Sequence, residues 1–308
     1  MRLNVVKKMI PAALLAVGAL TSCQQTVKMQ DRIVSNKEDK DDIKFTTNPK
    51  ILVMDQFEMS HLSINDDRFP DIAHGDVVSK LIEEKLPNAD VYKKNFAADI
   101  AEPWANYSLA EVVDSALTEV VNGDKKYDAI NISLGFEMPY KALYWTVGSK
   151  ITPETLVEKR DVIRDALKKS DKALDDIEKF STISKILDKI ETLTNQGTKV
   201  YVAAGNNGNE SLNLLLLANG IEAVAAKDST GSIKEYSADN ALVNRVQNDE
   251  IPVEKVDGGY DITGDGKADF KRTNIAQWIL SPRGASKKPL RGTSFAAPKA
   301  LIEDFEDK

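Results

Sequence analysis

Short apolar runs that stop at a polar residue or glycine, separated by helical patterns, constrain this 308-residue chain more than any other feature. Ile51-Leu52-Val53-Met54 follows Pro49 and stops at Asp55. Val77, Val78, Leu81 and Ile82 then recur at helical spacing until Pro87-Asn88. Ala89–Phe96 reads as a strand. Ser108-Leu109-Ala110-Glu111 is a capping box that opens a helix through Val121, and Asn122-Gly123 ends it. Ala129–Leu134 and Lys199–Ala204 are further strands. Uniformly apolar strands are covered on both faces, and strand–helix alternation builds parallel units. The expected fold class is α/β, a parallel sheet with helices on both faces plus a helical insertion. In such sheets ligands gather at the carboxyl ends of the strands, where Asp55, Gly135 and Asn206 fall.

The insertion is expected over about residues 151–197. Leu156, Ile163, Leu167, Leu174 and Ile177, then Ile183, Ile186, Leu187, Ile190 and Leu193, keep helical spacing. Ser181-Thr182 marks a break between two helices, and Gly197 suits a C-terminal cap. Scaffold is the favoured role; a lid over a substrate is the alternative.

Five segments carry candidate chemistry. Arg291-Gly292-Thr293-Ser294-Phe295-Ala296-Ala297-Pro298 places a serine on a glycine turn at the start of a helix, whose free N–H groups and dipole favour developing negative charge. Such a serine needs a base, and the chain holds only His61 and His74. His74-Gly75 lies at a helix start, whereas His61 sits in a plain polar stretch. Asp55, at a buried strand end, is costly without a partner, and an imidazole N–H would satisfy it. Val200–Ala204 runs into Gly205-Asn206, whose amide can donate to an oxyanion. Ala129-Ile130-Asn131-Ile132-Ser133-Leu134-Gly135 ends in a bare edge where an extended peptide could pair.

Taken in this order, these segments resemble the subtilisin-like serine protease family over roughly residues 50 to 308. Gln56-Phe57 after Asp55 and Asp76-Val77 after Gly75 depart from its usual pattern. The resemblance implies a serine endopeptidase in which Asp55, His74 and Ser294 form the triad and Asn206 assists the oxyanion. It also implies that Ser133, Leu134 and Gly135 pair with the substrate strand. Ala203, Ala204 and Gly205 would line the primary pocket, leaving room for a large apolar side chain. The alternative is a non-catalytic surface lipoprotein of the same fold that binds peptides or partner proteins. An esterase is disfavoured because Ser294 lacks a Gly-x-Ser-x-Gly elbow.

The first 22 residues read as a lipoprotein signal peptide. Arg2, Lys7 and Lys8 precede the twelve-residue apolar stretch Met9–Leu20, which is short for a membrane span. Leu20-Thr21-Ser22-Cys23 resembles a bacterial lipobox, with Cys23 as the lipidated residue. As the only cysteine, Cys23 excludes an intrachain disulfide. Residues 23–48 read as a flexible, charge-dense tether, and residues 49–308 as the peptidase domain. The expected location is an exported, membrane-anchored lipoprotein, facing the periplasm or on the cell surface. Removing the signal peptide takes away three positive charges and lowers the net charge from −7 to −10, which argues against nucleic-acid partners.

No cofactor is required for this chemistry. Asp261, Asp265 and Asp269, with Gly266, resemble the start of a calcium-binding loop. Thr263 at the third position and Arg272 at the twelfth depart from it. The segment reads either as a low-affinity structural calcium site or as an Asp/Gly-rich surface turn.

Overall fold

The computed structural model describes residues 48–57, 73–95, 109–170, 173–174, 178–270 and 289–306. The expectations for the signal stretch, Cys23, most of the tether, His61 and Arg272 fall outside the described residues.

Six parallel strands form the central sheet: β1 (Lys50–Asp55), β2 (Asp90–Asn95), β3 (Ala129–Ile132), β7 (Lys199–Ala203), β9 (Glu222–Lys227) and β10 (Arg245–Asn248). Their spatial order is β10-β9-β7-β3-β1-β2. From β1 the chain runs outward to β2 and then returns to β3 on the other side. The strand order therefore reverses between β1 and β3, and a crevice opens beyond their carboxyl ends.

The strands alternate between two buried faces, as a sheet covered on both sides must. Ile51, Val53, Ala129, Tyr201, Val224 and Ala226 share one core with α1 (His74–Lys85) and α6 (Thr293–Glu306). Leu52, Met54, Ile130, Ile132, Val200 and Val202, at the intervening positions, are also buried. On that side lie α2 (Leu109–Asn122) and α5 (Phe180–Asn195), packed against each other. Tyr201 is fully buried, and its hydroxyl donates to Asp304 Oδ2 at 2.7 Å. Arg245 pairs with the same oxygen at 2.9 Å, tying α6 to β7 and β10. A buried phenol without such a partner would cost about 1–3 kcal/mol.

The predicted insertion belongs to the crossover from β3 to β7. After β4 (Glu137–Pro139) come α3 (Tyr140–Val147), α4 (Leu156–Lys169) and the two-residue strands β5 (Ala173–Leu174) and β6 (Glu178–Lys179). The helix break lies at this small hairpin, before Phe180, rather than at Ser181-Thr182. Ile183, Ile186, Leu187 and Ile190 of α5 are fully buried, so α5 covers the sheet as scaffold, and α4 packs outside it. Gly197 follows α5 with φ +91°, the left-handed conformation of a helix stop. β8 (Ser211–Asn213) pairs antiparallel with β4, and β11 (Glu254–Val256) with β12 (Gly259–Asp261).

Candidate active site

β1 stops at Asp55 and α1 begins at His74, and one close contact brings them together. The Gly75 N–H donates to the Gln56 carbonyl at 2.8 Å. A Cβ at Gly75 would lie 2.8 Å from that oxygen, 2.9 Å from the Phe57 ring and 3.0 Å from the Asp55 Cβ. Only glycine lets the helix start so near the strand end. His74 Nδ1 consequently lies 3.0 and 2.9 Å from the two Asp55 oxygens. Asp55 Oδ1 also accepts the Gln56 N–H at 2.7 Å. With its Nδ1 proton directed at a carboxylate, the ring turns a lone pair outward at Nε2. Nε2 lies 2.9 Å from Ser294 Oγ, and Phe295 packs against the ring with centroids 4.7 Å apart. Gly75→Ala is therefore expected to lower activity about 100-fold, because a shift near 1 Å disrupts reacting geometry. Overpacking should also cost about 1–3 kcal/mol of stability. Steady-state kinetics and urea unfolding check both.

Ser294 sits in the first turn of α6, after Gly292 at φ +153°. Pro298 lies four residues further on and has no N–H to offer the Ser294 carbonyl. Ser133 Oγ fills that role, donating to the Ser294 carbonyl at 2.9 Å, and itself receives a bond from Asn131 Nδ2 at 2.7 Å. The proline of one motif thus leaves open a carbonyl that the serine of the other bonds. Sequence reasoning assigned Ser133 to main-chain pairing and missed this side-chain role.

Asn206 is exposed just beyond β7. Its Oδ1 accepts the Thr293 N–H at 2.9 Å and the Thr293 hydroxyl at 3.1 Å. Since both contacts come from donors, the amide oxygen faces Thr293 and Nδ2 remains a donor. A Cβ built at Gly292 would lie 3.2 Å from Ser294 Oγ and 3.6 Å from Asn206 Nδ2. The hydroxyl and the amide therefore border the same small space. The Ser294 N–H, one of the leading amides of the helix, has no acceptor among the described residues.

A cavity of about 280 Å³ opens beside Ser294. Ser133, Leu134 and Gly135, after β3, and Ala203, Gly205 and Asn206, at the end of β7, line it. Ala204, assigned to this lining from the sequence, is instead buried, and its N–H bonds the Val224 carbonyl of β9. The even alternation of strand faces turns it away from the cavity. Glu137 also lines the space.

Asp249 is a site residue that the sequence did not reveal. It is fully buried, and its Oδ2 accepts the Gly292 N–H at 2.7 Å and the Tyr236 hydroxyl. Lys234 Nζ lies 2.6 Å from its other oxygen. This cluster anchors the turn that carries Ser294. Burial, then the hydrogen bond to Asp249, push the Tyr236 phenol well above its ordinary pKa, so it stays a donor.

Asp261, Asp265 and Asp269 accept hydrogen bonds from nearby backbone amides. Asp261 takes the N–H groups of Thr263, Gly264 and Gly266 at 2.7–2.9 Å. Asp269 Oδ2 takes those of Ile262 and Thr263 at 2.8 and 3.1 Å, and Asp265 takes that of Lys267 at 2.8 Å. Burial raises the Asp261 carboxyl, but these amides more than offset it and hold the pKa below its usual value. Local amide protons engage Asp261 on both oxygens, and Asp265 and Asp269 on one oxygen each. Among the described residues no group of three or more His, Cys, Asp or Glu converges as a metal site would require.

No protein-family model and no curated protein matches the chain. It is similar to the solved MycP3 protease of the type VII (ESX-3) secretion system, at 17% identity and a TM-score of 0.47, over 85% of this chain and 73% of that one. The epidermin leader peptide processing serine protease (EpiP) from Staphylococcus aureus is similar at 14% identity and a TM-score of 0.46, over 94% and 71% of the two chains. A cold adapted subtilisin-like serine proteinase is similar at 12% identity and a TM-score of 0.42, over 83% and 76%. The chemistry of the site rests on its own distances rather than on these likenesses.

Proposed function

We propose that the chain is a serine endopeptidase. The observation that carries this reading is the continuous line from Asp55 through His74 to Ser294, with each gap near 3 Å. In this mechanism Ser294 Oγ attacks a peptide carbonyl carbon while His74 Nε2 takes its proton. Asp55 holds the imidazole and stabilises the cation it becomes. Asn206 Nδ2 and the Ser294 N–H receive the oxyanion. As the C–N bond breaks, His74 returns the proton to the leaving amine. Water then repeats the cycle on the ester and frees Ser294. Main-chain groups of Ser133–Gly135 hold the substrate as an added strand.

A fluorophosphonate probe tests this directly. Covalent labelling of folded protein at Ser294, abolished by Ser294→Ala, is the expected outcome. Folded protein that takes no label would remove the assignment and favour the non-catalytic binding role.

Asn206→Ala should lower kcat about 10²–10³-fold with KM little changed, since the donor acts chiefly on the transition state. It should also cost about 0.5–2 kcal/mol, because Asn206 Oδ1 caps the start of α6. Initial rates and thermal melting separate the two effects.

Location is part of the same proposal. Among the described residues no helix is long and apolar enough to cross a membrane. Lipid on Cys23 would supply the attachment, and more than one acyl chain makes it stable. Cys23→Ala is expected to move the protein from the membrane fraction to the soluble one. A mutant that stays membrane-bound through a high-salt wash would place the anchor elsewhere.

A further inference from the structure

Glu137 begins β4, two residues beyond the Ser133–Gly135 edge, and its carboxylate turns back under the Gly205-Asn206 backbone. Ser211 Oγ donates to Oε2 at 2.5 Å, and the Asn206 N–H donates to the same carboxylate. A Cβ at Gly205 would lie 2.3 Å from Glu137 Oε1, so the carboxylate occupies the space that a side chain at Gly205 would take. Gly205 also has φ +114°, a conformation that other residues rarely adopt. The acid is thus built into the wall of the cavity beside Ser294.

Among the described residues Glu137 is the only charged side chain lining that cavity, and the groups bonded to its carboxylate are the neutral Ser211 hydroxyl and Asn206 N–H. A half-buried carboxylate with hydroxyl and amide donors but no counter-cation is incompletely compensated. Burial, the largest influence, pushes its carboxyl above the ordinary range, while the Ser211 and Asn206 contacts oppose it. The neighbouring Tyr140 hydroxyl is buried without a hydrogen-bond partner, and burial with the charges of Glu154 and Glu137 pushes its pKa up. This corner of the molecule is electronegative.

The cavity of about 280 Å³ is at the small end for ligand sites, which suits one side chain rather than a whole ligand. A peptide whose carbonyl rests on Ser294, with its main chain along Ser133–Gly135, directs the side chain of that carbonyl's own residue into the nearest space. We infer that Glu137 makes this cavity a receptor for a cationic side chain, so that cleavage follows lysine or arginine. This inference rests on the proposed peptidase reading. It replaces the apolar occupant expected from the small wall residues Ala203 and Gly205, because those residues leave room while Glu137 sets the charge.

Two measurements test it, one of them independent of catalysis. The first compares peptides that differ only in arginine or citrulline before the scissile bond. A charge-assisted hydrogen bond predicts a preference for arginine of about 10–100-fold in kcat/KM, falling toward one in Glu137→Gln. The second is calorimetric binding of benzamidine and its neutral analogue benzamide to Ser294→Ala protein. Benzamidine should bind at least about tenfold tighter, and Glu137→Gln should erase the difference. Equal binding of the two probes by Ser294→Ala protein would overturn the inference, even if Glu137→Gln fails to fold. Probe labelling with no preference for arginine removes the cationic receptor and leaves the peptidase. Tight benzamidine binding without labelling or cleavage removes the peptidase and leaves the cationic receptor.

Discussion

Ser294→Ala is expected to reduce peptide hydrolysis by on the order of 10⁶ in kcat, with little change in fold. Among the described residues the hydroxyl bonds only His74 Nε2, so its loss removes one hydrogen bond there, about 1 kcal/mol. The Ser133 contact survives, because it is made to the main-chain carbonyl of residue 294. His74→Ala should reduce the rate as far but destabilise more, since the ring also packs on Phe295 and is bonded by Asp55. The double variant is the sharper test. Residues that act as one unit are not additive, so it should be no slower than either single variant. Two independent losses that multiplied would mean that His74 and Ser294 do not share a proton. Kinetics on purified variants, with urea unfolding as a control, check both outcomes.

Asp249→Ala is expected to be the most destabilising change around the site, by about 3–5 kcal/mol. It would strand the Gly292 N–H, the Tyr236 hydroxyl and the Lys234 ammonium beside a void. Lys234 keeps Glu250 at 3.0 Å, which limits its share of the loss. The turn before Ser294 would lose its anchor, so labelling by the fluorophosphonate should slow as well. Asp249→Asn keeps the shape and one acceptor and should fall between alanine and the wild type. Thermal melting together with labelling rates measures the pair of effects. A wild-type melting temperature for Asp249→Ala would mean that the cluster does not support the turn.

Where sequence and structure agree, the signal was local. Ile51–Met54 and Val200–Val202 are apolar runs with hard stops, so the ends of β1 and β7 were legible, and Asp55 and Asn206 with them. His74 was legible because Gly75 and the helical pattern of Val77–Ile82 adjoin it. Glu137 was not, because its environment is assembled from Gly205, Asn206 and Ser211, about seventy positions away. Asp249 lies in Gln247-Asn248-Asp249-Glu250, which has the composition of a solvated turn. Its burial comes from Tyr236 and Gly292, 13 and 43 positions distant. β10, like β2 at the opposite edge, lacks the apolar run of the central strands, and Arg245–Asn248 are only half-buried there. Asp261, at the end of β12, and Asp265 and Asp269 beyond it carry a calcium-like spacing, while the amides that bond them follow from the local turn and not from the spacing.

His74 and Ser294 are 220 positions apart in the chain, yet their side chains touch. Ribosomes add about 5–20 residues each second, so the base is made roughly 10–45 s before the hydroxyl it would serve. The helix bearing Ser294 must then seat in a core shared with β1, β3, β7 and β9 before the two can meet. If the proposed reaction is the chain's own, a nascent or partly unfolded copy cannot carry it out, because His74 and Ser294 are not yet in contact. On the proposed reading hydrolysis depends on the folded arrangement, and a label on Ser294 would double as a gauge of how many copies have brought it next to His74.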